Sequence, residues 1–61
     1  MTKLKQLRKQ SGLSQTELAA AIGVTQGAVS QWEMGASKPS LDNLVSIAKA
    51  LGCKLDDLID K

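Results

Sequence analysis

The sequence predicts an all-α protein of five short helices, the second and third forming a helix-turn-helix. Three observations predict it. Gly12, Gly23, Gly35 and Gly52 each follow an amphipathic stretch, the place of a helix stop. Ser14, Thr25 and Ser40 stand where such stretches begin, as N-caps do. No stretch alternates apolar and polar residues like a strand, and β-branched residues are sparse. The 61 residues make one domain, 1–61, and a chain this short buries only about 60% of its unfolded surface.

Helix α1 is expected from about Thr2 to Ser11, with Leu4 and Leu7 on one face and Gly12 as its stop. Ser14-Gln15-Thr16-Glu17 reads as a capping box, the Ser14 hydroxyl accepting from the Glu17 amide and the Glu17 carboxylate reaching back. Helix α2 then runs to Ile22, burying Leu18, Ala19 and Ile22, and Gly23 ends it. Thr25 caps α3, Gln26 to Met34, which buries Val29 and Trp32. Ala36-Ser37-Lys38-Pro39 is a loop, and Ser40 caps α4. That helix spaces Leu41, Leu44, Ile47, Ala48 and Leu51 at helical intervals before Gly52. A short α5 carries Leu55, Leu58 and Ile59, with Lys54 where a Ser or Asp cap is expected.

Composition excludes much. There is no His and one Cys, which removes His-assisted nucleophiles, the usual zinc sets and an internal disulfide. No glycine loop has phosphate-cradling spacing. The 6 carboxylates are scattered, each near a helix end or a Lys/Arg, and suggest no acid/base pair. The expectation is no enzyme, no cofactor and no metal site. No apolar run nears the roughly 20 residues of a membrane span, and no signal peptide is visible. A cytoplasmic protein without membrane or small-molecule ligand is expected. The net charge of +2 is weak evidence; its distribution is better. Lys3, Lys5, Arg8, Lys9 and Lys38 face only Glu17 and Glu33 in residues 1–40, whereas residues 41–61 are slightly acidic. A polyanion-facing side belongs to the first two thirds.

Only Gly23, Val24 and Thr25 separate α2 from α3, a connection of helix-turn-helix length with glycine first. Ala19 allows close approach of the two helices, Gly23 turns the chain, and Val29 lies on the buried side of α3. At about 100° per residue, Gly27, Ser30 and Met34 lie opposite Val29 and Trp32, flanked by Gln26 and Gln31. That face has no charge, unlike an ordinary solvated helix. Short amide and hydroxyl groups suit base edges, since Gln can bond adenine N6 and N7 together. Gly27 sits inside a helix where Ala is better by about 1 kcal/mol. Either it leaves a gap for close approach to bases, or it is a glycine tolerated in a first turn.

Gln15-Thr16-Glu17-Leu18-Ala19, Gly23-Val24-Thr25-Gln26, Val29-Ser30-Gln31-Trp32-Glu33 and Ala48-Lys49-Ala50-Leu51-Gly52 together resemble the helix-turn-helix domains of lambda-like phage repressors and Cro proteins (Xre-type). The resemblance covers nearly the whole chain. It implies a compact five-helix, lambda-repressor-like DNA-binding domain whose third helix enters the major groove. The implied function is a sequence-specific transcription regulator, a repressor, acting as a homodimer on a palindromic operator in double-stranded DNA. An antitoxin that binds a toxin protein and autoregulates is the alternative.

The site expectations follow. Gln26, Gly27, Ser30 and Gln31 face bases. Gln15 opens α2, whose N-terminus favours phosphate; in the family that position contacts the DNA backbone and braces the residue at Gln26. Ser14 is either a second backbone contact or a cap alone. Lys38 and Asn43 match positions where relatives grip phosphate. Arg8 reaches phosphate, pairs with Glu33 as in relatives, or does both. Trp32 is a core residue whose indole N–H is also placed to reach phosphate. Cys53, Lys54, Leu55 and Asp57 are the expected dimer surface, with Cys53 otherwise a small apolar group. One departure matters: loops after α3 in this family often carry several basic residues, and here Lys38 is alone. Weaker backbone attraction makes dimerisation matter more.

Overall fold

A computed structural model describes residues 1–59; Asp60 and Lys61 lie outside the described residues. Five helices run in order, α1 Thr2–Gln10, α2 Gln15–Ile22, α3 Gln26–Met34, α4 Leu41–Leu51 and α5 Leu55–Leu58. No strand occurs among the described residues. Helix α2 packs on α3 and α4, α1 on α3 and α5, and α4 on α5. The molecule measures 25 × 23 × 20 Å.

The local signals explain these boundaries. The Ser14 hydroxyl accepts from the Glu17 amide at 3.0 Å, and Glu17 Oε1 accepts from the Ser14 amide at 3.0 Å. Thr25 Oγ1 accepts from the Ala28 amide and Ser40 Oγ from the Asn43 amide, at 3.2 and 3.1 Å. At the other ends, Gly23 takes φ 74°, a left-handed conformation that costs any residue with a Cβ. The Val24 amide then closes onto the Ala19 carbonyl at 3.0 Å. The same closure follows α1, α3 and α4, as Leu13 to Arg8, Ala36 to Gln31 and Cys53 to Ala48. Each leaves the chain turned sharply back, so five short helices wrap one core.

That core is Leu4, Leu18, Ala19, Val29, Trp32, Ile47, Ala48 and Leu58, with Leu7, Ile22, Leu44, Leu51, Cys53 and Leu55 packed partly buried against it. Trp32 is therefore a core residue. Three expectations need correction. Helix α1 ends at Gln10, with Ser11 as its cap. Leu41 follows the apolar spacing but is 68% exposed, because spacing sets only a direction and the first position of α4 is left uncovered. Helix α5 ends at Leu58; Ile59 is extended and 45% exposed. The weak cap at Lys54 is offset from the far side, where Asp57 Oδ2 accepts from the Lys54 amide at 3.0 Å.

Candidate nucleic-acid interface

Helix α3 has one face in the core and one in solvent. Val29 and Trp32 are buried; Gln26, Gly27, Gln31 and Met34 are exposed, and Ser30 is half-buried. Met34 is 73% exposed. The outer face carries amides, a hydroxyl and a thioether, without a charge. Gly27 is the one glycine without positive φ, so the backbone does not require it. A Cβ built there meets only Thr25 Oγ1, at 4.0 Å. The gap is on the surface, and nothing inside the protein needs it. Gly27→Ala should therefore leave the fold intact and raise stability by up to about 1 kcal/mol, read from the urea midpoint. A destabilised Ala variant would show an internal packing role for the glycine.

Gln26 does not hang free. Its Nε2 donates to Gln15 Oε1 at 2.7 Å, and Gln15 Nε2 donates to Glu33 Oε1 at 3.0 Å. Arg8 completes the chain, with Nε donating to Glu33 Oε2 at 2.6 Å and Nη2 to Oε1 at 3.1 Å. Its Nη1 donates to the Leu13 carbonyl at 2.7 Å. The Arg8 and Glu33 side chains are only 8% and 3% exposed. The pairing of Arg8 with Glu33 that the resemblance implies is present, turned inward. Helices α1, α2 and α3 are thus tied by one polar line that emerges at Gln26.

Burial pushes the Glu33 carboxyl up, but hydrogen bonds from Arg8 and Gln15, and the charges of Arg8 and Lys5, outweigh it and hold it below the usual range. The same hydrogen bond to Glu33 raises Arg8 against the effect of burial. The folded state binds the Glu33 proton less tightly than the unfolded chain, so this stabilisation is full above the ordinary glutamate value, about 4.3. It is lost as pH falls through the lower folded value. Urea midpoints should decline below about pH 4, and less steeply when Arg8 and Glu33 are both replaced by apolar residues. Equal declines in both proteins would contradict the assignment.

The other expected positions are spread around this line. Ser14 is exposed beside Gln15 at the start of α2, and its hydroxyl oxygen is the α2 cap. Lys38 is exposed in the loop after α3, and Asn43 is half-buried in the first turn of α4. Gln31 is held from that loop, its Oε1 accepting from Ser37 Oγ at 3.4 Å. Lys54 and Asp57 are exposed and Cys53 and Leu55 half-buried at the α4–α5 turn, apart from the polar line. Burial and the Asp57 charge push the Cys53 thiol up, so it stays a neutral, weakly nucleophilic group. Among the described residues no group of His, Cys, Asp and Glu is placed to hold a metal ion, and no helix is long and apolar enough to cross a membrane.

Two features carried no sequence signal. The Met1 ammonium donates to the Trp32 and Glu33 carbonyls at 2.9 and 3.3 Å, pinning the start of α1 to the end of α3. The Gln15–Glu33 bond spans 18 positions and joins residues that no helical spacing relates.

A family profile described as helix-turn-helix matches residues 4–58. The chain belongs to this family. Within it, the chain is similar to the HTH-type transcriptional activator BcrR of Enterococcus faecalis, 37% identical over 57 residues. It is also similar to the repressor protein C2 of Salmonella phage P22, 35% identical over 57 residues. In each case 93% of this chain is matched, but only 28% and 26% of the relative; the chain spans about a quarter of the length of these helix-turn-helix relatives. The structure of the P22 c2 repressor in complex with a synthetic operator superposes with a TM-score of 0.90 and 34% identity, covering 97% of this chain and 89% of that one. The five-helix arrangement expected from the lambda-like resemblance is this helix-turn-helix fold.

Proposed function

We propose that the chain is a sequence-specific, double-stranded-DNA-binding transcription regulator that lays α3 in the major groove. The observation that carries the reading is the uncharged outer face of α3, with Gln26 braced from the start of α2. A solvated helix gains nothing from a glycine gap beside a tethered amide; a helix seated against base edges gains both reach and register. On this reading Gln26, Gly27, Ser30 and Gln31 face bases. Gln15, Ser14, Lys38 and Asn43 hold phosphates on either side, while Arg8, Glu33 and Trp32 keep the frame rigid. Likeness to a repressor whose structure was determined with operator DNA supports the reading. Gly27→Val should keep the fold and change or abolish the preferred sequence, read by selection from random duplexes. An unchanged selected sequence would remove Gly27 from the groove-facing set.

We further propose a homodimer on a two-fold operator, acting as a repressor by occupying promoter DNA in the cytoplasm. One α3 reads too few base pairs for useful specificity, whereas a dimer sets two such helices about 34 Å apart on one face of the duplex. The turn around Cys53, Lys54, Leu55 and Asp57, with exposed Ile59, is the surface for it. Leu58 is fully buried and serves the core, so little apolar area is left and DNA should strengthen the association. Selection from random duplexes should return a palindrome, and sedimentation should give two chains per palindrome. A one-to-one complex there would exclude the dimer. Nothing among the described residues favours the antitoxin alternative.

A further inference from the structure

The polar line from Arg8 to Gln26 has a direction. A carboxylate only accepts hydrogen bonds, a guanidinium only donates, and a glutamine amide donates at one end and accepts at the other. Glu33 takes Arg8 on both of its oxygens, and Oε1 also takes Gln15 at 3.0 Å. Gln15 must therefore turn its nitrogen toward Glu33. Its oxygen then points the other way, where it needs a donor, and the Gln26 amide supplies one through Nε2 at 2.7 Å. Gln26 is exposed, and rotating its amide by half a turn costs little in itself. What stops that rotation is a charge on the far side of Gln15.

We infer that Glu33 is a positioning residue for base recognition: relayed through Gln15, its carboxylate fixes which end of the Gln26 amide faces the start of α2 and which faces outward. The inference rests on the reading that Gln26 faces bases. Adenine offers an acceptor, N7, beside a donor, N6. An amide meets both only if its nitrogen and oxygen come in the matching order; reversed, oxygen faces N7 and nitrogen faces N6. Fixing the order in the free protein makes a flexible side chain selective before it meets DNA.

Two variants separate the parts of the relay. Gln15→Met keeps the size and the Arg8–Glu33 pair but removes the amide, so Gln26 turns freely. Glu33→Gln does something different. The new amide has one acceptor oxygen for the two Arg8 donors and Gln15, so it is no longer compelled to offer oxygen to Gln15, and both orders of the Gln15 and Gln26 amides become available. The measurement is the base preference of each variant at the operator position whose preference is lost in Gln26→Ala, expressed relative to the other positions so that uniform loss of affinity cancels. Circular dichroism checks the fold, and if Glu33→Gln does not fold, Gln15→Met carries the test.

Gln15→Met should lower that preference by about tenfold per half-site, and Glu33→Gln should lower it too, by freeing the amide order, with other positions unchanged. In the free protein, the through-hydrogen-bond coupling from Gln26 Nε2 to Gln15 Cδ should be present, and should weaken in Glu33→Gln. If Gln26→Ala abolishes the preference while both relay variants keep that of the starting protein, the inference is wrong and the reading of Gln26 stands. If Gln26→Ala leaves every preference intact, the reading itself fails and the inference falls with it.

Discussion

Glu33→Ala should cost about 3–5 kcal/mol of folding stability, because it leaves the buried Arg8 guanidinium without its partner. A chain of this length has only about 3–9 kcal/mol in total, so the variant should sit near the edge of unfolding at room temperature. Arg8→Ala should be nearly as damaging, since the 3% exposed Glu33 carboxylate keeps Gln15 as its one remaining side-chain donor among the described residues. Replacing both residues, as Arg8→Met with Glu33→Leu, should recover much of the loss, because no charge is then stranded. Urea denaturation of the two single variants and the double variant closes the cycle. Additive losses would show that the 2.6 Å contact contributes no coupling.

Gln26→Ala should have the second large effect, on DNA. Each half-site should lose about 1–3 kcal/mol, with preference relaxed at one base position. Two half-sites roughly double that loss. The size follows from bracing: on the proposed reading, Gln26 meets the groove already held by Gln15 at 2.7 Å, so little side-chain entropy remains to be lost on binding. Lys38 is of another kind. It is exposed in a loop, and phosphates are alike at every step, so Lys38→Ala should weaken all sequences about equally.

The parts of the fold that could be read in the sequence are those fixed by a few neighbouring residues. Caps at Ser14, Thr25 and Ser40 and stops at Gly12, Gly23, Gly35 and Gly52 each act within one turn, and all do so in the structure. Leu41 was misleading because helical spacing gives a direction, while burial needs another element to be there. Helix α5 starts after Lys54 as the spacing predicts, although Lys54 has no capping side chain, because the Asp57 carboxylate three residues on supplies the bond. The candidate interface divides in the same way. The neutral face of α3 and the Gly27 gap follow from helical geometry. The Arg8–Glu33 pair was indicated by the family resemblance and by the place of both residues beside the apolar Leu7 and Trp32, and the Gln15–Glu33 bond by neither, since it depends on how α2 and α3 cross.

The central claim is that α3 reads base edges while the loop after it grips the backbone. Its most direct test is binding of the starting protein, Gln26→Ala and Lys38→Ala to a panel of single-base operator variants at several salt concentrations. Gln26→Ala should flatten the response at one position in each half-site and leave the salt slope unchanged. Lys38→Ala should keep every preference and reduce the slope by about one unit per half-site. If Gln26→Ala lowered all affinities by one factor while Lys38→Ala altered the preferred base, the roles assigned to α3 and its loop would be wrong.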